Sequence, residues 1–189
     1  MSIIEPDVEF RPFPKLARLR RDITITEKID GTNACVIVSE EGWVAAQSRK
    51  RVITPQDDNF GFAAWVFDNM EGLAEVLGPG YHYGEWWGAG IQRGYGGKGK
   101  TFSLFNTTRW SEATPVELVP GLDVVPVLYE GPFCEHAVDS ALADLREYGS
   151  QAAIGYPSPE GIVVYHHAAN SMFKVTLEND EVPKGLVSA

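Results

Sequence analysis

Short stretches in which apolar and polar residues alternate recur along most of the chain. They are rich in β-branched and aromatic residues, the composition typical of β-strands. The predicted strands cover residues 23–28, 34–39, 43–48, 81–87, 101–106, 123–129, 160–166 and 172–177. A Glu-Glu-Gly sequence separates the second and third of these, which indicates a hairpin.

Two other segments follow the helical period, with apolar residues three and four positions apart. The first covers residues 58–77 and is followed by a Gly-Pro pair, a typical helix stop. The second covers residues 134–148 and ends at a glycine. Strands outnumber helices without alternating regularly with them, so the predicted class is α+β with antiparallel sheets. No repeat or long linker divides residues 1–189, which predicts a single domain.

The composition is that of one domain with a full hydrophobic core. The chain has 189 residues, of which 44% are hydrophobic and 22% charged. No apolar run reaches the roughly 18 residues of a membrane helix, and the first residues lack the positive charge of a secretory signal. We therefore expect a cytoplasmic protein with no membrane partner. Its two cysteines, Cys35 and Cys134, form no CxxC pair, which argues against a disulfide framework and a zinc site.

Charge is distributed unevenly. The formal net charge of -10 by itself argues against nucleic-acid binding. However, residues 1–110 hold 13 of the 16 Lys and Arg residues against 14 acids, whereas residues 111–189 hold 3 against 12. The cations of residues 1–110 are also clustered, and such clusters could contact phosphates despite the negative net charge. The candidate nucleic-acid contacts are Arg18, Arg20, Arg21, Lys50, Arg51, Arg93, Lys98 and Lys100.

One phosphate-binding pattern lies in a glycine-rich segment, Gly94–Thr101, which spells GxxxxGK[ST]. In a P-loop this sequence follows a buried strand and opens a helix whose N-terminus faces the phosphates. Here no strand-length apolar run precedes the segment, and the residues after it alternate with period two, as in a strand. The context favours a surface loop, and a P-loop ATPase is kept as an alternative function.

A second pattern, Glu27–Asn33 (EKIDGTN), places an acid and a glycine just after a lysine. Further motifs follow it in order. They are Ser48-Arg49-Lys50, Tyr83–Gln92 (YGEWWGAGIQ), Phe102–Asn106 (FSLFN), Glu160–Val164 (EGIVV) and Phe173–Val175 (FKV). This ordered set resembles the covalent nucleotidyltransferases, and most closely the ATP-dependent RNA ligases. The resemblance implies an antiparallel-sheet nucleotidyltransferase fold, similar to ATP-grasp ligases, with a few packed helices.

The resemblance also implies a mechanism in which a lysine amine attacks ATP and carries the AMP as a covalent lysyl-AMP. Lys28 would be that nucleophile. Nucleotide contacts would come from Glu27 at the adenine edge, Asp30 and Asn33 beside the lysine and phosphates, Arg49 and Glu85 at the ribose, Phe105 or alternatively Phe102 stacked on adenine, Glu160 at the metal, and Lys174 at the α-phosphate. Asp30 would be a second metal ligand.

The implied cofactors are ATP and Mg²⁺ or Mn²⁺, and the implied substrates are RNA ends or a nicked duplex. Family members commonly carry a second lysine where this chain has Met172, so the resemblance does not imply a second phosphate contact at this position. The chain ends 15 residues after Lys174, too few for an OB-fold domain, so a partner protein is one expected source of further substrate contacts. Besides the P-loop ATPase, a catalytically silent module that binds RNA ends is an alternative.

Overall fold

The structure, a computed structural model, describes residues 9–97, 99–111 and 114–181. Within these ranges the chain forms ten strands and three α-helices. The strands are β1 (Asp22–Lys28), β2 (Thr32–Val38), β3 (Val44–Ser48), β4 (Val52–Ile53), β5 (Gly80–Gly88), β6 (Lys100–Leu104), β7 (Leu122–Val124), β8 (Val127–Pro132), β9 (Gly161–His166) and β10 (Ser171–Thr176). The helices are α1 (Phe62–Asp68), α2 (Met70–Leu77) and α3 (Glu135–Tyr148).

A four-stranded sheet has the order β10-β9-β1-β8, with every neighbouring pair antiparallel. Helix α3 covers one face of it through Ala141, Leu142 and Leu145, which pack against Ile25 and Ile162. Because side chains alternate along a strand, the residues between these apolar positions face the other side. Lys28 lies on that other side, at the end of β1.

A six-stranded sheet has the order β4-β3-β2-β5-β6-β7 and is antiparallel except for the pair β6 and β7. One face packs on α1 and α2 and holds the largest core cluster, in which Phe62 contacts Trp86 and Phe102. This mixed architecture, dominated by antiparallel pairs, confirms the predicted α+β class. The hairpin predicted from its Glu-Glu-Gly turn is also confirmed, as β2 and β3.

The helix predicted over residues 58–77 is two shorter helices, which corrects that prediction. The Asp58 carboxylate accepts hydrogen bonds from the Ala63 and Ala64 N–H groups, but α1 begins only after Gly61. The break falls at Asn69, whose side-chain amide donates to the Trp65 carbonyl at 2.8 Å. Asparagine side chains compete in this way with helical hydrogen bonds, and the apolar period does not reveal it.

The strand predicted over residues 123–129 is wrong, because the chain changes sheets within it. Leu122–Val124 pairs with β6 in the six-stranded sheet, whereas Val127–Pro132 pairs with β1 in the four-stranded sheet. Pro126 lies between them and has no N–H to donate to a ladder. The other crossing between the sheets is the turn from β1 to β2, and Glu27 N donates to the Pro126 carbonyl beside it.

No helix among the described residues is long and apolar enough to cross a membrane.

Candidate active site

Lys28 and Glu160 meet where β1 ends and β9 begins. The two strands pair Lys28 with Gly161, which brings the neighbouring Glu160 beside the lysine. Lys28 Nζ donates to Glu160 Oε2 at 2.5 Å. The Glu160 side chain is 4% exposed and that of Lys28 20%, so a buried carboxylate holds an amine that solvent can still reach.

Glu85 on β5 holds the turn that follows Lys28, which we call the KIDG turn (Lys28–Gly31). One carboxylate oxygen of Glu85 accepts from Gly31 N at 3.0 Å and the other from Asn33 Nδ2 at 2.8 Å. Burial raises the pKa of Glu85 to about 7, although the charge of Lys28 and these two hydrogen bonds oppose the shift. The carboxylate therefore fixes the loop next to the lysine.

Gly31 itself has to be a glycine because β5 passes very close to it. A Cβ at this position would lie 2.4 Å from the Trp86 carbonyl oxygen and 2.8 Å from the Trp87 Cβ. The backbone atom cannot move away without shifting the strand. The glycine of EKIDGTN thus has a packing role that allows the KIDG turn to lie against β5.

Asp30 is held from a different direction, by residues in and beside the glycine-rich segment. Its backbone N donates to Tyr95 Oη at 2.8 Å, and its carboxylate accepts from Arg93 Nε at 3.2 Å. Arg93 Nη1 also donates to the carbonyl of Ser158, two residues before Glu160.

The glycine-rich segment does not have the structure of a P-loop. Gly94–Gly96 forms a single 3₁₀ turn, and the chain then enters strand β6 rather than a helix. Without a helix after the glycines there is no helix N-terminus to face a phosphate. The alternative of a P-loop ATPase is therefore wrong, for the reason that the sequence context had indicated.

Glu27 faces away from Lys28, as expected for successive residues of a strand. Its carboxylate is buried and accepts three hydrogen bonds from the chain after α3. The donors are Ser150 Oγ at 2.6 Å, Gln151 N at 2.7 Å and Ala152 N at 2.9 Å. Glu27 thus anchors the segment that leads to Glu160. Its contact with adenine stays a prediction.

Of the two candidate stacking residues, only Phe105 is accessible. Its side chain is 40% exposed, and its backbone N donates to the Tyr83 carbonyl beside β5. Phe102 is fully buried in the core of the six-stranded sheet, where it contacts Phe62. A ring that stacks on a nucleotide needs an open face, which favours Phe105.

Lys174 lies on the same face of the four-stranded sheet as Lys28. It pairs with Val163 on β9, and Val163 pairs with Thr26 on β1, two residues before Lys28. Lys174 is exposed. Two strand spacings, roughly 10 Å, separate β10 from β1, so the two lysines lie on the same face of the sheet on strands that are not neighbours.

The geometry thus brings Glu160 beside Lys28 and fixes the turn that follows Lys28 through Glu85. The roles of the predicted nucleotide residues stay predictions. A family model described as RNA ligase matches residues 21–176. The chain belongs to the RNA ligase family. No curated protein matches it.

Solved structures of the Naegleria gruberi RNA ligase have a similar fold. A variant of that protein with ATP and Mn gives a TM-score of 0.60 at 20% identity, covering 85% of this chain and 51% of that one. Another variant, with AMP and Mn, gives 0.57 at 18% identity and covers 84% and 50%. The same ligase with PPi gives 0.56 at 22% identity and covers 82% and 49%. This member of the RNA ligase family therefore spans about half the length of these structures.

Three cations predicted to contact nucleic acid have partners within the chain. Their partners are the Asp57 carboxylate for Arg51, the Phe60 carbonyl for Lys100, and the Asp30 carboxylate for Arg93. A contact with RNA would have to compete with these interactions, and it stays a prediction.

The remaining candidates fall into two groups. Arg18, Arg20 and Arg21 lie on the exposed arm before and at the start of β1, and Arg49 and Lys50 follow β3. None of these five side chains forms an ion pair with another residue in the described ranges. Lys98 lies outside the described residues.

A depression next to the KIDG turn combines cations with small polar groups. Its lining residues are Thr32, Ser48, Arg49, Lys50, Arg51 and Asn59. Asn59 Nδ2 donates to Thr32 Oγ1 at 3.1 Å, which ties the start of α1 to the site. Arg49 is thereby placed next to the motif that carries the lysine.

Sequence reasoning missed the supporting roles of Arg93, Tyr95 and Ser150. Arg93 had been assigned to nucleic acid and Tyr95 to a surface loop, yet both hold Asp30, more than 60 residues earlier in the chain. Ser150 bonds Glu27 across 123 positions. One signal was available in the sequence: Tyr95 is the one bulky apolar residue among the glycines of this segment, which indicates a buried, structural side chain.

Proposed function

We propose that this protein is an ATP-dependent RNA ligase that works through a covalent lysyl-AMP at Lys28. The observation that carries the proposal is the pairing of a solvent-accessible amine with the buried Glu160 carboxylate, next to a turn fixed by Glu85. Membership of the RNA ligase family, and the ATP and Mn present in a structure of the Naegleria gruberi RNA ligase, support it.

In the first step Lys28 Nζ attacks the α-phosphorus of ATP, so an N–P bond forms and the bond to pyrophosphate breaks. The amine must lose a proton before it attacks. Glu160 Oε2, 2.5 Å from Nζ, is placed to accept that proton. Phe105 would support the adenine ring, and Lys174 would contact the α-phosphate from the same face of the sheet.

The later steps return the enzyme to its starting state. An oxygen of the RNA 5′-phosphate attacks the AMP phosphorus, the N–P bond breaks, and Lys28 recovers a proton. A 3′-hydroxyl then attacks the activated 5′-phosphate and releases AMP. The exposed cations Arg18, Arg20, Arg21, Arg49 and Lys50 are the proposed contacts with RNA ends or a nicked duplex.

The carboxylates of the site fit a divalent cation that arrives with ATP. No group of three or more His, Cys, Asp or Glu side chains in the described ranges could hold a metal ion by itself. Magnesium in phosphoryl-transfer sites is typically held by one or two carboxylates together with substrate phosphates and water. Glu160 and Asp30 would be those carboxylates. The ion, Mg²⁺ or Mn²⁺, would neutralise charge that develops on the phosphates.

The test is transfer of label from α-labelled ATP, in the presence of Mg²⁺, to protein that is then denatured and separated by electrophoresis. The wild type should give a labelled band and Lys28→Ala none. Lys100→Ala, which removes the lysine of the GxxxxGK[ST] pattern, is the matched control and should label like the wild type. A folded wild type that binds RNA ends without labelling would instead identify the silent binding module.

A further inference from the structure

The glycine-rich segment and the arginine before it have no role in the reaction as proposed above. Both nevertheless contact the two parts of the chain that carry the reacting groups. One is the KIDG turn, and the other is the segment 149–160 that leads into Glu160, which we call the strap.

On the side of the KIDG turn, Arg93 and Tyr95 hold Asp30 at two points. Arg93 Nε donates to the Asp30 carboxylate at 3.2 Å, and Tyr95 Oη accepts the Asp30 backbone N–H at 2.8 Å. Tyr95 is only 4% exposed and has a φ of +48°, a conformation that non-glycine residues rarely adopt. Such backbone strain persists only where surrounding contacts hold it in place.

On the side of the strap, the same two residues contact its second half. Arg93 Nη1 donates to the Ser158 carbonyl at 3.1 Å. The Tyr95 ring packs on the Tyr156 ring, with centroids 4.7 Å apart. It also contacts the Trp87 ring on β5, with centroids 5.0 Å apart. The strap is therefore fixed to the KIDG turn through Arg93 and Tyr95, which belong to neither.

We propose that Arg93 is a positioning residue that holds the KIDG turn against the strap, so that Lys28 and Glu160 keep the alignment that the pairing of β1 and β9 gives them. This inference rests on the proposed attack of Lys28 on ATP. One guanidinium joins the turn that follows Lys28 to the strap that ends at Glu160. Its planar fork presents donors in two directions at once, which an ammonium group on a flexible stem does not. Tyr95 assists by holding the backbone of the same turn.

This role predicts a specific kinetic signature. Arg93→Gln should lower the rate constant for lysyl-AMP formation by roughly 10²-fold while changing the KM for ATP little, because misplacement of a reacting group by about 1 Å has effects of that size. Arg93→Lys should show a smaller loss, since it keeps the charge and one donor. Tyr95→Phe should lower the rate constant less than Arg93→Gln, because it removes one hydrogen bond and keeps the ring.

Arg109→Gln is the matched control. Arg109 also donates to a backbone carbonyl, that of Leu77 at 2.8 Å, and it lies over the ring of Trp110, away from Lys28. Arg109→Gln should lower thermal stability without changing the rate constant for lysyl-AMP formation. If Arg93→Gln behaved in the same way, Arg93 would be a structural residue only. A raised KM with an unchanged rate constant would make it a phosphate ligand, and either result would overturn the proposal.

Hydrogen exchange provides a readout that does not depend on catalysis. In Arg93→Gln, peptides covering residues 27–33 and 156–161 should both exchange faster, because both segments lose the same link. Arg109→Gln should change neither. Unchanged exchange in either segment would show that Arg93 does not couple them, whatever the labelling assay gives. If the wild type failed to label with ATP while Arg93→Gln still exchanged faster than the wild type in both segments, only the proposed function would be contradicted.

Discussion

The KIDG turn and the glycine-rich segment both have sequences typical of phosphate binding, but they are supported in opposite ways. In the KIDG turn the glycine lies against the neighbouring strand, and buried Glu85 holds the backbone. In the glycine-rich segment Gly96 and Gly99 have open space around them, and the fixed residue is Tyr95. The lysine proposed to react thus lies at the start of a tightly held turn, and the glycine-rich segment contributes Tyr95, which supports that turn.

After the loss of Lys28 itself, the largest effect should come from removing the carboxylate that contacts it. Glu160→Ala should lower lysyl-AMP formation by on the order of 10²- to 10³-fold, the usual effect of losing one electrostatic group in a preorganised site. Glu160→Gln should not restore it, because the amide keeps the shape but neither accepts the proton nor holds a metal ion. Labelling with α-labelled ATP measures both, with exposed Glu75→Gln on α2 as the control. Full activity of the glutamine variant would contradict the role of Glu160.

The two glycines can be compared directly by adding one methyl group to each. Gly31→Ala should lower the free energy of unfolding by about 3 kcal/mol, at the upper end of overpacking effects, because the Trp86 carbonyl is backbone and cannot swing away. Gly99→Ala should be close to neutral, since no heavy atom lies within 4 Å of the added Cβ. Denaturant unfolding measures both. Equal effects would mean that the two turns are held alike.

Glu85 should make the stability of the KIDG turn depend on pH. The unfolded chain releases this proton near pH 4.5, whereas burial raises the folded pKa to about 7, so the folded state binds more protons between these values. The free energy of unfolding should therefore fall as pH rises from 4.5 to 7, by about 3 kcal/mol relative to Glu85→Gln. Urea unfolding of both proteins across this interval tests it. A constant difference between them would place the pKa of Glu85 at its ordinary value.

The smallest effect concerns the salt dependence of RNA binding, compared between a lysine near the KIDG turn and a lysine of the glycine-rich segment. Lys50 lines the depression next to the KIDG turn, whereas Lys100 donates to the Phe60 carbonyl. Lys50→Ala should flatten the log-log dependence of RNA affinity on salt by roughly 0.7, the value for one phosphate contact on a single strand. Lys100→Ala should leave that slope unchanged. The reverse result would move the RNA contact to the glycine-rich segment.

Local patterns predicted the elements well where neighbours in sequence decide the structure. The alternation in β5 and β9 predicted both strands to within one residue. The strand predictions are confirmed because backbone period is a property of the sequence itself. The ordered motifs predict that Lys28, Glu85 and Glu160 belong to one site; the structure brings these side chains near one another, and their roles stay predictions.

The failures occurred where a distant contact or a single side chain decides the structure. The amide of Asn69 interrupts a helix whose apolar period continues through it. Pro126 divides a run of strand-forming residues between two sheets. The support that Arg93 gives to Asp30 is not visible in the sequence, because the two residues lie 63 positions apart. A contact of Arg93 with nucleic acid stays a prediction.

The path of the chain between the sheets has a consequence for the order of folding. Strands β2 to β7 form one sheet from a continuous stretch, whereas β1 must wait for β8 and β9, which lie about a hundred residues or more further along. Closing such long loops is slow, because the entropy of closure is lost before the contacts form. We therefore expect the six-stranded sheet to form first. The contact between Lys28 and Glu160, separated by 132 positions, would then be among the last to assemble.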